Sequence, residues 1–164
     1  MELNKYTLFE GLSSVQISKF EKAITRKKIS AEDLIIKEGD AGDSIIFLLE
    51  GEVKISKPMT LYTSGSDFDD REKDLIILDS SIHPFFGDYS LFTEKNKRTA
   101  NIIANTDGEI GVLMSEDFFK ICESDYQLGY QVIKNLTQNI TSQVVKQSDD
   151  ILKLTTAISL ILEN

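Results

Sequence analysis

The chain has one cysteine, Cys122, and one histidine, His83, in 164 residues. A single cysteine makes no intramolecular disulfide, and without partner cysteines or a second histidine it builds no zinc site. Cys122 lies in the apolar stretch EDFFKICES and reads as a small buried core residue. A lone histidine also removes Ser-His-Asp and Cys-His chemistry unless it runs through His83, which no glycine-flanked serine elbow accompanies. In SIHPFF the histidine precedes Pro84 and reads as a turn residue. A cupin-like metal enzyme would need several converging histidines. No enzyme, resident cofactor or metal is expected.

Positive charge is also scarce, with 18 basic against 27 acidic side chains and a net charge of −9. Such a surface repels phosphate backbones and anionic lipid, so neither nucleic acid nor a membrane is an expected partner. A small pocket can still be locally positive. The N-terminal MELNKYTLFEG lacks the apolar core of a signal peptide, and no apolar run reaches membrane-spanning length. The expected compartment is a reducing cytoplasm.

What is present divides into three textures. LSSVQISKFEKAI, residues 12–24, opens with Ser13 followed three positions later by Gln16, a capping-box pattern. Leu12, Val15, Phe20 and Ile24 then recur near helical spacing, which predicts a short amphipathic helix. From residue 25 the chain shows short apolar runs rich in isoleucine and valine between turn residues, the lengths and spacing of an antiparallel barrel or sandwich. After Phe118 glycine nearly vanishes, proline is absent and helical periodicity takes over. The predicted architecture is α+β and mainly β. Residues 1–125 form an antiparallel β-barrel with an N-terminal helix, and residues 126–164 form a long C-terminal helix.

Residues 58–74 interrupt the strands with five acids inside one eight-residue window. The ligand order and central glycine of an EF-hand are missing, so a solvated hairpin extension is expected rather than a calcium loop. Along the last segment, Ile133, Thr137, Ile140, Val144, Gln147, Ile151, Leu154, Ile158 and Ile161 step alternately by four and three. This heptad seam predicts pairing with a twin helix, with Gln147 as its one large polar interruption and a fixer of register. Leu136, Leu152, Leu160 and Leu162 lie off the seam, so one helix is expected to serve both the barrel and a twin.

Two strand connections carry the functional signal. In IIKEGDAGDSIIFLLEG, Ile35 to Gly51, the glycines Gly39, Gly42 and Gly51 punctuate the strands at turns. In FFGDYSLFTEKNKRTA, Phe85 to Ala100, a glycine and an acid precede a short helix-like stretch, and an arginine follows ten positions after the acid. Together these resemble the cyclic-nucleotide-binding domain family. The first segment matches its strand–turn–strand signature, and the second its phosphate-binding cassette with the acid-to-arginine spacing of the catabolite-activator branch. The resemblance covers roughly residues 7–145.

The resemblance implies a jelly-roll, or double-stranded β-helix, and a non-catalytic regulatory domain whose ligand is cAMP or cGMP. It assigns ligand binding to Phe86, Gly87, Asp88, Tyr89, Ser90, Arg98, Thr99 and Ala100. Arg98 would offer a planar fork of donors to the cyclic phosphate, and removing it is expected to take away most of the affinity and leave the fold intact. The N–H groups of residues 89–91 would meet the anion at the start of a helical turn. Asp88 stands where the family has a glutamate for the ribose 2′-hydroxyl, one methylene shorter. Thr141, Ser142 and Gln143 are candidates for capping the base. Ile140, Val144, Gln147, Ile151, Leu154 and Ile158 would form a homodimer interface. The family usually has a glycine where this chain has HPFF, and the DNA-reading helix-turn-helix of the transcription-factor branch is not seen before Asn164. The expected role is a cytoplasmic sensor acting on an unknown downstream protein. The alternative is a structural dimerisation module on the same fold with a non-binding pocket.

Overall fold

The computed structural model describes residues 1–58, 72–92 and 97–162. Apart from the backbone at its two ends, the predicted hairpin extension over 58–74 lies outside these residues. In chain order the described elements are α1 Ser14–Ala23, β1 Thr25–Ile29, β2 Leu34–Ile36, β3 Ser44–Glu50, β4 Glu52–Pro58 and β5 Glu72–Asp79. Next come β6 Phe85–Phe86, β7 Asn101–Ala104, β8 Gly108–Met114, α2 Ser115–Ser124 and α3 Tyr126–Leu162. Single 3₁₀ turns occupy Leu3–Lys5, Thr7–Phe9, Ser80–Ile82 and Tyr89–Leu91.

The eight strands pair antiparallel in two four-stranded sheets, β1-β8-β3-β6 and β2-β7-β4-β5. Among the described residues the expected antiparallel jelly-roll barrel takes the form of two facing sheets that do not close. The consecutive strands β3 and β4 lie in different sheets, the chain turning between them at Gly51, whose φ is +91°. At the edge, β6 is two residues long and pairs only through Phe85 and Phe86. So short an edge cannot lace one sheet to the other.

Two cores lie on either side of β3. Ile46 and Leu48 face Val53, Phe86, Ile102, Ala104 and Ile110 between the sheets. Ile45 and Phe47 point the other way, into Leu8, Phe9, Phe20, Phe118 and Val132 beneath the helices. A strand covered on both faces loses the in–out alternation of a half-exposed one, which explains the unbroken apolar run in SIIFLL. Cys122 belongs to the helical core, and burial pushes its thiol up to about 11.

Helix α1 starts as its sequence suggests. The Gln16 N–H donates to Ser13 Oγ at 3.3 Å, and the Ser13 N–H donates to Gln16 Oε1 at 3.0 Å. Its buried face differs from the expected one, because Ile17 and Phe20 enter the core while Val15 is 71% exposed. Helix α3 binds the rest of the molecule through its first turns. Leu128, Val132 and Leu136 are buried on one face, each contributing roughly 1.5–3 kcal/mol. The buried Asn135 amide donates to the carbonyls of Leu8 and Glu10 at 3.0 and 2.8 Å. Ile140 is the last residue to pack partly on this core.

Candidate functional site

The cassette sequence folds as the connection between β6 and β7. After Phe86 the backbone turns at Gly87, with φ +92°, and enters the single 3₁₀ turn of Tyr89–Leu91. A Cβ on Gly87 would collide with Nη1 of Arg98 and lie 2.6 Å from the Ser44 carbonyl. Both the positive φ and the guanidinium beside it therefore demand glycine here.

Arg98 sits at the centre of the site and is only 8% exposed. Its Nη1 donates to the Ser44 carbonyl at 2.9 Å and to Ser90 Oγ at 3.2 Å, and its Nη2 donates to Ser44 Oγ at 2.9 Å. Burial draws its pKa down, opposed by the carboxylate of Asp43. The backbone joins the two sequence signatures at the same residue. Gly39 N–H donates to the Arg98 carbonyl at 3.0 Å, and Arg98 N–H donates to the Asp40 carbonyl at 2.9 Å. Of the three turn glycines, Gly39 and Gly51 have positive φ and Gly42 does not. Gly42 is needed for a close approach instead, since a Cβ there would collide with the Ser90 side chain. The GDAGD turn is thus pressed directly against the cassette.

Asp88 is 5% exposed, and this burial pushes its carboxyl pKa up. Nearby N–H groups of Asp88 and Tyr89, together with the Asn139 side chain, offset part of that cost. Asn139 Nδ2 donates to Asp88 Oδ2 at 3.5 Å. One helical turn further along α3, Gln143 Oε1 accepts from the Tyr89 hydroxyl at 2.8 Å. Desolvation and the neighbouring Asp88 charge raise the Tyr89 phenol. Leu91 N–H is partly committed already, donating to the Asp88 carbonyl at 3.3 Å.

These groups converge on a pocket of about 480 Å³. Phe86, Gly87, Asp88, Tyr89, Ser90, Arg98, Thr99 and Ala100 all line it. The opposite wall is apolar, built from Ile36, Ile55, Leu78 and Ile102 of the second sheet. His83, which caps the Ser80–Ile82 turn in a left-handed conformation, lines the pocket beside Pro84. Of the base-capping candidates only Gln143 reaches this pocket. Ser142 lines a smaller neighbouring groove of about 210 Å³, and Thr141 is exposed and lines neither. The cause is rotation, because residues 139 and 143 share one helical face while 141 points away from it. Asn139 escaped the sequence reading. Its spacing of four from Gln143 was the available signal, but only the packing of α3 selects that face.

A buried arginine and a buried carboxylate thus line one pocket of the sandwich. Residues 26–125 match the family described as Cyclic nucleotide-binding domain, and the chain belongs to that family. It is 30% identical over 120 residues to cGMP-dependent protein kinase egl-4 of Caenorhabditis elegans. Over 118 residues it is 30% identical to cGMP-dependent protein kinase, isozyme 1, of Drosophila melanogaster. The matches take in 73% and 72% of this chain but 14% of each kinase. Among solved structures, a cyclic nucleotide-binding domain from Methylobacillus flagellatus aligns with a TM-score of 0.74 at 21% identity, over 92% of this chain and 78% of that one. The Thermus thermophilus Catabolite Activator Protein aligns with a TM-score of 0.73 at 21% identity, over 92% and 63%; both are likenesses of fold. A cAMP-bound PfPKA-R fragment shares 28% identity with a TM-score of 0.59, over 73% of this chain and 38% of that one.

Proposed function

We propose that this domain is a regulatory sensor that binds a 3′,5′-cyclic nucleotide and performs no chemistry on it. The observation that carries the reading is the convergence of Arg98, Asp88 and the Tyr89–Leu91 turn on one pocket. A cyclic nucleotide offers one phosphodiester charge and one free ribose hydroxyl, and the pocket offers a guanidinium and a carboxylate. Arginine has five N–H donors. Three hydrogen bonds hold Nη1 and Nη2 to Ser44 and Ser90, so among the described residues Nε and the second hydrogen on Nη2 are left to donate to phosphate oxygens. Thr99 adds a hydroxyl beside them, and the apolar wall accommodates the base.

Both cAMP and cGMP fit this chemistry. A threonine directly after the arginine resembles guanine-selective members, and the matched kinases are named for cGMP. The PfPKA-R fragment was solved with cAMP. The sensor acts as a homodimer through α3, in the cytoplasm, on a protein partner. The exposed apolar residues Val144, Ile151, Leu154 and Ile158 support the dimer. Among the described residues no helix is long and apolar enough to cross a membrane.

A second reading draws on the same bonds. Arg98 is tied to Ser44 and Ser90, and Asp88 to Asn139, so a structural dimerisation module could keep these groups for its fold alone. Binding of a fluorescent cyclic nucleotide, displaced by unlabelled cAMP and cGMP, separates the two. The sensor predicts saturable binding that Arg98→Lys weakens severely, since an ammonium cannot reproduce the fork. Binding that is insensitive to this change would remove Arg98 from the phosphate site.

A further inference from the structure

The long contact between Asn139 and Asp88 stands out in a site where the other polar pairs are close. Asn139 Nδ2 lies 3.5 Å from Asp88 Oδ2, at the outer limit for a hydrogen bond. The pair joins two distant parts of the chain, the cassette and α3, and both residues line the pocket. Asp88 offers only acceptors when ionised, so the amide must present its NH₂ group to it. A side-chain carboxylate and a side-chain amide donor therefore face the same space.

Resting on the reading that the pocket takes a cyclic nucleotide, we propose that Asn139 is a second ligand for the ribose 2′-hydroxyl, supplied by α3. A hydroxyl is both donor and acceptor. Placed at the third corner of a triangle with these two atoms, it donates to the Asp88 carboxylate and accepts from the Asn139 amide. One long contact is exchanged for two good ones. The amide thereby compensates for the shortened acid, because the sugar is held from both sides rather than reached by a longer carboxylate. The same hydroxyl then joins the cassette to α3, so the sugar as well as the base is sensed by the helix that carries the apolar seam. Gln143, one turn along the same face, stays bonded to the Tyr89 hydroxyl at 2.8 Å and keeps α3 aligned with the cassette.

The test is a cycle between protein and ligand, measured by calorimetry. Wild type and Asn139→Ala are each titrated with cAMP, cGMP and the two 2′-deoxy analogues, and their folding is checked by thermal melting. Loss of one neutral hydrogen bond predicts about a five- to tenfold weaker affinity of Asn139→Ala for the ribonucleotides. Its affinity for the 2′-deoxy forms should match that of wild type. If the alanine variant does not fold, Asn139→Leu replaces it and predicts the same selectivity, because an aliphatic side chain of similar size cannot donate to the hydroxyl. Equal weakening for ribo and deoxy ligands would make Asn139 a support of α3 only. Tighter binding of both would make it a competitor for Asp88. Either result overturns the proposal while leaving the nucleotide reading intact. A wild type that binds none of the four ligands would overturn both.

Discussion

Arg98 ties β3 to the cassette at the proposed ligand site. Its donors hold the buried Ser44 and the cassette Ser90, so Arg98→Ala should lower stability as well as affinity while the fold is kept. The alanine variant strands the Ser44 carbonyl, a loss of about 1–3 kcal/mol in stability. Its midpoint in urea should fall accordingly. Cyclic-nucleotide affinity should drop by on the order of 2–5 kcal/mol for a lost desolvated charge partner. A variant as stable as wild type would show that these bonds contribute nothing to folding. Asp88 makes the opposite prediction. Burial raises its folded pKa above the unfolded value, so the folded state binds the proton more tightly. Stability from this group is complete below the unfolded pKa and is lost as pH rises through the folded one. Asp88→Asn should therefore raise the melting temperature at pH 7, and the gain should shrink as pH falls through that window. A gain that is constant across pH would exclude desolvation of the carboxylate as its cause.

At the scale of elements, legibility follows locality. The capping box of α1, the turn glycine Gly87 and the arginine of the cassette lie within short stretches whose chemistry is complete in the sequence. Which face of a helix is buried depends on distant partners. Val15 therefore stays outside the core that Ile17 enters, and Asn139 rather than Thr141 faces the pocket. Whether the strands close into a barrel or stack as two sheets is illegible for the same reason, since pairing between strands far apart in the chain leaves no local mark. Helix α3 makes the contrast within one element. Its first turns bury Leu128, Val132 and Leu136, whereas Ile151, Leu154 and Ile158 are each more than half exposed. Exposed aliphatics at heptad spacing need a partner. Sedimentation at micromolar concentration should find wild type dimeric and Ile151→Asp monomeric, because two carboxylates would face one another unpaired. Gln147→Leu should tighten association and loosen register or oligomer number. An Ile151→Asp protein that remains dimeric would move the interface off this helix.

For the whole molecule, the arrangement places one pocket between three parts of the chain. The first sheet brings Ser44 to Arg98, the second sheet supplies the apolar wall, and α3 reaches over with Asn139 and Gln143. The cassette touches all three, so a ligand seated there bears on the helix as well as the sheets. Two glycine contacts keep this junction tight, Gly87 against the guanidinium and Gly42 against Ser90. The central claim is that this junction recognises a cyclic phosphodiester on a ribose. Calorimetry of wild-type protein with cAMP, cGMP and the linear 5′-monophosphates tests it most directly. The account predicts one site per chain for at least one cyclic nucleotide, with the linear forms bound at least an order of magnitude more weakly because a dianion with free rotation fits the fixed fork poorly. Heat changes indistinguishable from dilution for both cyclic nucleotides, or equal binding of cyclic and linear forms, would contradict it.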